Sequence, residues 1–161
     1  MNNELIIEAP EGLPFLDYSR EFDAPVSALF RAYTVREIFE LWFGPEGMPL
    51  AVHRFEPQTG GGFRYVVHGP DQDWGFHGVY HEVRRDEVII QTYQFEQDPA
   101  GGVSLEFQRF QELPEGRSRI SVHSISPSVA SRDALDGMRE GIKNDFDALE
   151  KVLAREIPVE A

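Results

Sequence analysis

Residues 103–126 read VSLEFQRFQELPEGRSRISVHSIS, the pattern of two strands with a turn between them. Apolar and polar residues alternate along each half, which predicts strands that bury one face. The apolar positions of this alternation are Val103, Leu105 and Phe107, then Ile120 and Val122. Between the halves, Pro114, Glu115 and Gly116 supply turn residues. A connection this short favours an antiparallel pair.

The same period of two extends back to residue 50. Strands are predicted near 50–56, 61–68, 74–84 and 87–97, in addition to 102–112 and 117–126. Each gap between them carries Gly, Pro, Asp or Gln in a turn-forming run. Six strands in succession with short connections favour an antiparallel meander.

After Pro127 and Ser128 the apolar period changes to that of a helix. One stripe is formed by Leu135, Met138, Ile142, Phe146, Leu149 and Leu153. This stripe predicts one long C-terminal helix. Because a helix must bury its apolar stripe, we expect it to cover the dry face of the sheet.

Before residue 50, the pattern of apolar residues predicts a strand followed by two short helices. The strand is predicted over 15–22 by alternation, and Pro25 suits the first turn of the following helix. A second short helix ends before Gly44. Residues 1–14 are interpreted as an N-terminal lead-in and 15–157 as one α+β domain.

Charge and composition narrow the classes of partner. The net charge is −13, from 28 acidic and 15 basic side chains, which disfavours nucleic acid and anionic membrane surfaces. The chain has no cysteine, so disulfides and thiolate sites are excluded. Its first residues lack a basic start followed by a long apolar run, and we expect a cytoplasmic protein that makes no use of a membrane.

Several local motifs resemble one known family. They are Phe22-Asp23-Ala24-Pro25, Leu41-Trp42-Phe43-Gly44-Pro45-Glu46-Gly47, Phe76-His77-Gly78-Val79-Tyr80 and Gly137-Met138-Arg139-Glu140-Gly141. Over residues 15–155 the chain resembles homologues of the activator of the heat-shock-protein ATPase, within the START-like superfamily. This resemblance implies a helix-grip fold, in which a curved antiparallel sheet of six to seven strands wraps around a long C-terminal helix and leaves a pocket. Lipid carriers, hormone receptors, cyclase enzymes and co-chaperone domains share that fold, so it leaves the function open.

The predicted pocket is rich in aromatic residues. We expect its lining to comprise Trp42, Phe63, Tyr65, Trp74, Phe76, Tyr80, Tyr93, Phe107, Met138, Gly141 and Ile142. A glycine in a helix is unfavourable, which suggests that Gly141 leaves room for a ligand or for close approach to the sheet. Such a lining favours a small hydrophobic or aromatic ligand, and a fully packed core is the alternative.

Two other functions stay open at this point. One is a co-chaperone-like domain that binds a chaperone partner. The other is a cavity enzyme of cyclase or hydrolase type that uses a carboxylate or one of the histidines at 68, 77 and 123. His77 and His81 would lie about 13 Å apart on a strand, too far to share a zinc ion. The sequence therefore predicts no metal, no cofactor and no specific catalytic residue, while a homodimer through a sheet edge near 50–56 or 117–126 stays open.

Overall fold

The computed structural model of the chain describes residues 3–156, and the predicted domain end at 157 lies outside them. Within these residues there are eight strands and four α-helices. In chain order they are β1 (Ile6–Glu8), β2 (Phe15–Phe22), α1 (Val26–Thr34), α2 (Arg36–Trp42), β3 (Leu50–Phe55), β4 (Gly62–His68), β5 (Asp73–Arg84), β6 (Val88–Phe95), β7 (Val103–Leu113), β8 (Arg117–Ile125), α3 (Val129–Asp136) and α4 (Arg139–Glu156). The α+β class predicted from the sequence is confirmed.

All strands join one antiparallel sheet in the order β1-β2-β8-β7-β6-β5-β4-β3. The meander from β3 to β8 follows the predicted succession. β-Bulges in β3 and in β5 help to curve the sheet, because an extra residue bends its strand. A curved sheet under helices is consistent with the helix-grip arrangement.

The sheet has eight strands, one more than the upper figure of the six to seven predicted. Strand β1 lies in the supposed lead-in and pairs with β2, with Ile7 opposite Tyr18. The period-two signal of a three-residue strand is too short to recognise in a sequence. Its effect is to cover the backbone edge that β2 would otherwise expose.

Strand alternation places the core on the concave face. Phe22 of β2 and Ile120 of β8 are essentially inaccessible there, as are Leu29 of α1 and Leu149 of α4 above them. Rings from α4 and β2 meet directly, since the centroids of Phe146 and Phe22 lie 6.1 Å apart. Helices α1, α2 and α4 thus cover the concave face.

The prediction of a single C-terminal helix is wrong, because the helix is interrupted between Asp136 and Arg139. Gly137 sits at the break, where its N–H bonds back to the Asp133 carbonyl at 3.1 Å. Arg132 of α3 is buried and donates to the carbonyl of Phe15 at 2.9 Å. This anchor holds α3 against the start of β2.

Helix α4 is attached to the sheet by a buried cation. Arg20, on the concave face of β2, is 6% exposed and donates to Asp147 Oδ1 at 2.7 Å. Its other terminal nitrogen donates to Glu150 on the next turn of the helix. This pairing fixes helix α4 over strand β2.

Candidate functional site

Aromatic rings form a continuous row along the concave side of strands β4 to β6. Trp74 stacks on Phe95 at 5.7 Å between centroids, and Phe95 stacks on Phe76 at 5.3 Å. Phe76 then meets Tyr93 at 5.6 Å, and Tyr93 meets Phe63 at 5.9 Å. The row arises because every second residue of these strands points to the same face.

One end of this row is packed and the other is partly open. Most predicted lining residues near α2 are buried, namely Trp42, Phe63, Tyr65 and Tyr80. Trp42 is held there by a hydrogen bond from Nε1 to the Ala32 carbonyl at 2.9 Å. The remaining side chains keep part of their surface accessible, namely Trp74, Phe76, Tyr93 and Ile142. The predicted lining therefore divides into a core part and a part that a small molecule could touch.

Phe107 is a correction to the predicted lining, because it lies on the convex face. Its ring is 6.1 Å from His123 and 5.7 Å from the guanidinium carbon of Arg109. On β7 the buried positions are instead Glu106 and Gln108. The alternation of β7 has the opposite phase to the one predicted from Val103, Leu105 and Phe107.

Met138 and Gly141 lie at the exposed start of α4. Met138 is 54% exposed, and a Cβ atom at Gly141 would meet nothing within 4 Å. The close approach to the sheet that we expected for Gly141 is therefore absent. A glycine that does make a close approach is Gly78 of β5, where a Cβ would lie 2.8 Å from the Phe63 ring.

A carboxyl group lies inside the fold on β7. Glu106 is 7% exposed, and its Oε1 accepts a hydrogen bond from Nε2 of Gln91 at 2.9 Å. Burial raises the pKa of Glu106 to about 7, and the hydrogen bond from Gln91 opposes this only in part. A carboxyl group with such a pKa can be charged or neutral near physiological pH.

A second carboxyl group with a raised pKa, that of Asp145, lies partly exposed on helix α4. Burial raises the pKa of Asp145 to about 7, opposed in part by the backbone N–H of Gly44. The charges of Asp145 and Glu106 both add to the effect of burial in raising the pKa values of Tyr18, Tyr33 and Tyr93. The two carboxyl groups are thus in electrostatic reach of the same three phenols.

A hydroxyl pair completes the polar part of this interior. The Tyr65 hydroxyl donates to the Tyr93 hydroxyl at 3.0 Å, and burial raises the pKa of both. Tyrosine in such a setting stays neutral and acts through hydrogen bonds. The interior between the sheet and α4 therefore combines an aromatic wall with a few buried polar groups, which is the usual composition of a small-molecule site.

The three histidines considered for catalysis lie on the convex face. The structure therefore contradicts the hypothesis that one of these three acts as a base in the interior. Each contacts an acid: His68 contacts Asp73 at 3.0 Å, His77 contacts Glu96 at 2.8 Å, and His123 contacts Asp17 at 2.6 Å.

Sequence reasoning did not name the buried polar residues Glu106, Gln91 and Gln108 of β6 and β7, nor the partly exposed Asp145 of α4. A signal for Glu106 and Gln108 existed in Phe110, whose even-numbered position shares their face and is buried. Asp145 lies between Ile142 and Phe146 on the apolar stripe of the helix. A charged residue at an apolar position of this stripe is the signal in the sequence that could have identified it.

Comparison with known proteins supports the architecture. The family model described as Activator of Hsp90 ATPase homolog 1-like protein matches residues 23–154. No curated protein matches the chain. Within residues 3–156, no helix combines the length and apolar character needed to cross a membrane.

Solved structures with the same fold come from several bacteria. A Rhodobacter sphaeroides protein is 24% identical with a TM-score of 0.85, over 94% of this chain and 99% of the other. A Staphylococcus epidermidis protein is 27% identical with a TM-score of 0.80, over 93% and 94%. A Mycobacterium smegmatis protein is 22% identical with a TM-score of 0.82, over 92% and 95%. These similarities establish the fold and carry no statement of function.

Proposed function

Given that this chain belongs to the family of Activator of Hsp90 ATPase homolog 1-like proteins, we propose that it binds a small hydrophobic or aromatic molecule between the sheet and helix α4. The observation that carries the proposal is the partly open aromatic wall. Trp74, Phe76 and Tyr93 lie in one row of ring contacts and keep accessible surface on the concave side. Apolar surface of this kind gains about 25 cal/mol for each Å² that a ligand covers.

The polar groups of the interior suit a ligand that is held in one orientation. Glu106, Gln91 and Gln108 are each at least nine-tenths buried on neighbouring strands. A few fixed polar groups among aromatic walls orient a ligand, while the walls supply most of the binding energy. A buried polar side chain costs free energy unless it is paired, and a ligand would supply such a pair.

The first test is native mass spectrometry of the purified protein, followed by denaturing extraction of any small molecule that remains bound. We expect an added mass that disappears on denaturation and an extract containing a hydrophobic or aromatic compound. A protein that carries no compound and that binds none of a library of small aromatic molecules would contradict the proposal.

A second candidate is a protein-interaction domain that stimulates a chaperone ATPase. It is supported by the description of the matched family, which names an activator of the Hsp90 ATPase. The test is the ATPase rate of a purified Hsp90-type chaperone with and without equimolar protein. A concentration-dependent increase would favour this candidate, and an unchanged rate would count against it.

A further inference from the structure

We propose that Glu106 binds the protonated amino group of the ligand, so that the class of ligand is a hydrophobic amine. This inference rests on the proposed binding function and names the chemistry of its ligand. It follows from how Glu106 is partnered, from an unpartnered buried hydroxyl opposite it, and from the sign of the charges around it.

Glu106 lacks a cationic partner among the described residues. The side-chain hydrogen bond that it accepts within residues 3–156 comes from the neutral amide of Gln91. Arg20 also lies on the concave face, but its terminal nitrogens are taken by Asp147 and Glu150. A buried carboxylate is costly unless it is paired, and a ligand cation would supply the missing pair.

A buried hydroxyl beside Glu106 has no hydrogen-bond partner in the described part of the chain. Ser124 lies directly opposite Glu106 on β8, and its buried Oγ is unpartnered within residues 3–156. Gln108, two residues further along the same face of β7 and 9% exposed, places a polar amide on the same face. An unmade buried hydrogen bond costs about 1–3 kcal/mol. A ligand that donates several hydrogen bonds beside Glu106 would recover part of this cost, and an ammonium group has three donors.

The charges around the site select against anions. Asp145 of α4 adds a second, partly exposed carboxyl group, whose charge raises the pKa values of Tyr18 and Tyr93 as that of Glu106 does. Two carboxyl groups disfavour a bound carboxylate or phosphate through like-charge repulsion. The aromatic rings of the wall are compatible with a cation, because a ring face attracts an ammonium group.

The experiment compares three probes that share one aromatic body: naphthylethylamine, naphthylethanol and naphthylacetate. Their affinities are measured by isothermal titration calorimetry at about 0.15 M salt, where charges more than about 8 Å away are largely screened. We expect the amine to bind at least tenfold more tightly than the alcohol, and the acetate to bind most weakly. This comparison needs no variant, so it does not depend on a mutant folding.

The variant Glu106→Gln keeps a partner for Gln91 and removes the charge. We expect it to lose at least tenfold in affinity for the amine and to keep its affinity for the alcohol. Glu112→Gln is the matched control, because Glu112 is an exposed glutamate on the same strand and its loss changes the net charge equally. We expect it to leave all three affinities unchanged.

The outcomes separate this inference from the proposal on which it rests. Equal binding of amine and alcohol, tightest binding of the acetate, or no effect of Glu106→Gln on the amine would overturn the amine assignment and leave small-molecule binding standing. Failure of all three probes to bind the unaltered protein would overturn the amine assignment. Small-molecule binding itself would fall only if mass spectrometry also found no retained compound and no member of the aromatic library bound.

Discussion

Gln91 and Glu106 face each other on neighbouring strands, with the amide Nε2 2.9 Å from the carboxyl Oε1. A neutral amide therefore holds a carboxyl group in the interior. On the convex face the opposite occurs: the guanidinium of Arg64 donates to both oxygens of Glu96 at 2.9 Å and lowers the pKa of Glu96. The pKa of glutamate is thus raised to about 7 on the concave face, at Glu106, and lowered on the convex face, at Glu96.

Glu106 should make the stability of the protein depend on pH. Its pKa rises from 4.5 to about 7 on folding. The folded state therefore keeps a proton that the unfolded state has lost, so the contribution of Glu106 is fully present below pH 4.5 and is lost as the pH rises through 7. The shift corresponds to roughly 3 kcal/mol.

The measurement for this prediction is urea unfolding of the protein and of Glu106→Gln at pH 5 and pH 8. Relative to the unaltered protein, Glu106→Gln should gain roughly 2–3 kcal/mol between the two pH values, because it lacks the carboxylate that becomes costly. Glu112→Gln should show no such gain. An equal difference between Glu106→Gln and the unaltered protein at both pH values would disprove a raised pKa.

Replacing Arg20 by Met should loosen helix α4. The change removes both contacts to Asp147 and Glu150, whose side chains are partly exposed and can be solvated. We expect a loss of about 1–2 kcal/mol in the free energy of unfolding, between the values for surface and buried ion pairs. Arg84→Met is the control, since its pairs are exposed and should contribute less than about 0.5 kcal/mol. Equal effects of the two changes would contradict the role assigned to Arg20.

Phe76 and Phe107 are both partly buried phenylalanines on the sheet, but they lie on opposite faces. Phe76→Ala should weaken the binding of naphthylethanol by about tenfold, because it removes part of the aromatic wall. Phe107→Ala should leave that affinity unchanged. Titration calorimetry checks both, and a loss confined to Phe107→Ala would place the ligand on the convex face.

Two glycines should respond in opposite directions to alanine. Gly141→Ala should stabilise the protein by about 0.5–1 kcal/mol, because alanine favours a helix and the new methyl group meets open space. Gly78→Ala should destabilise by about 1–3 kcal/mol, because its Cβ would lie 2.0 Å from the Thr92 carbonyl oxygen. The melting temperatures of the two variants, compared with that of the unaltered protein, test both predictions. A lower melting temperature for Gly141→Ala would show that this position needs glycine.

Much of the architecture follows from periodicity alone. The meander strands were predicted near their observed positions, as 61–68 against Gly62–His68 and 74–84 against Asp73–Arg84 show. A run of alternating residues can be recognised without knowing its neighbours. Strand β1 and the break at Gly137 could not be recognised in this way. Strand β1 depends on its pairing with β2, and the separate position of α3 depends on the hydrogen bond from Arg132 to Phe15, which is distant in the chain.

The sequence by itself determined the α+β class, the antiparallel meander, the aromatic character of the interior and the family resemblance. These depend on local spacing and on motifs of adjacent residues. Only the tertiary structure decided which face of β7 is buried, because a period of two is equally satisfied with Phe107 inside or with Glu106 inside. The register of β7 against β6 and β8 decides between the two, because it places Glu106 on the buried face. Glu106, which the alternation predicted to lie on the surface, is therefore at the centre of the candidate site.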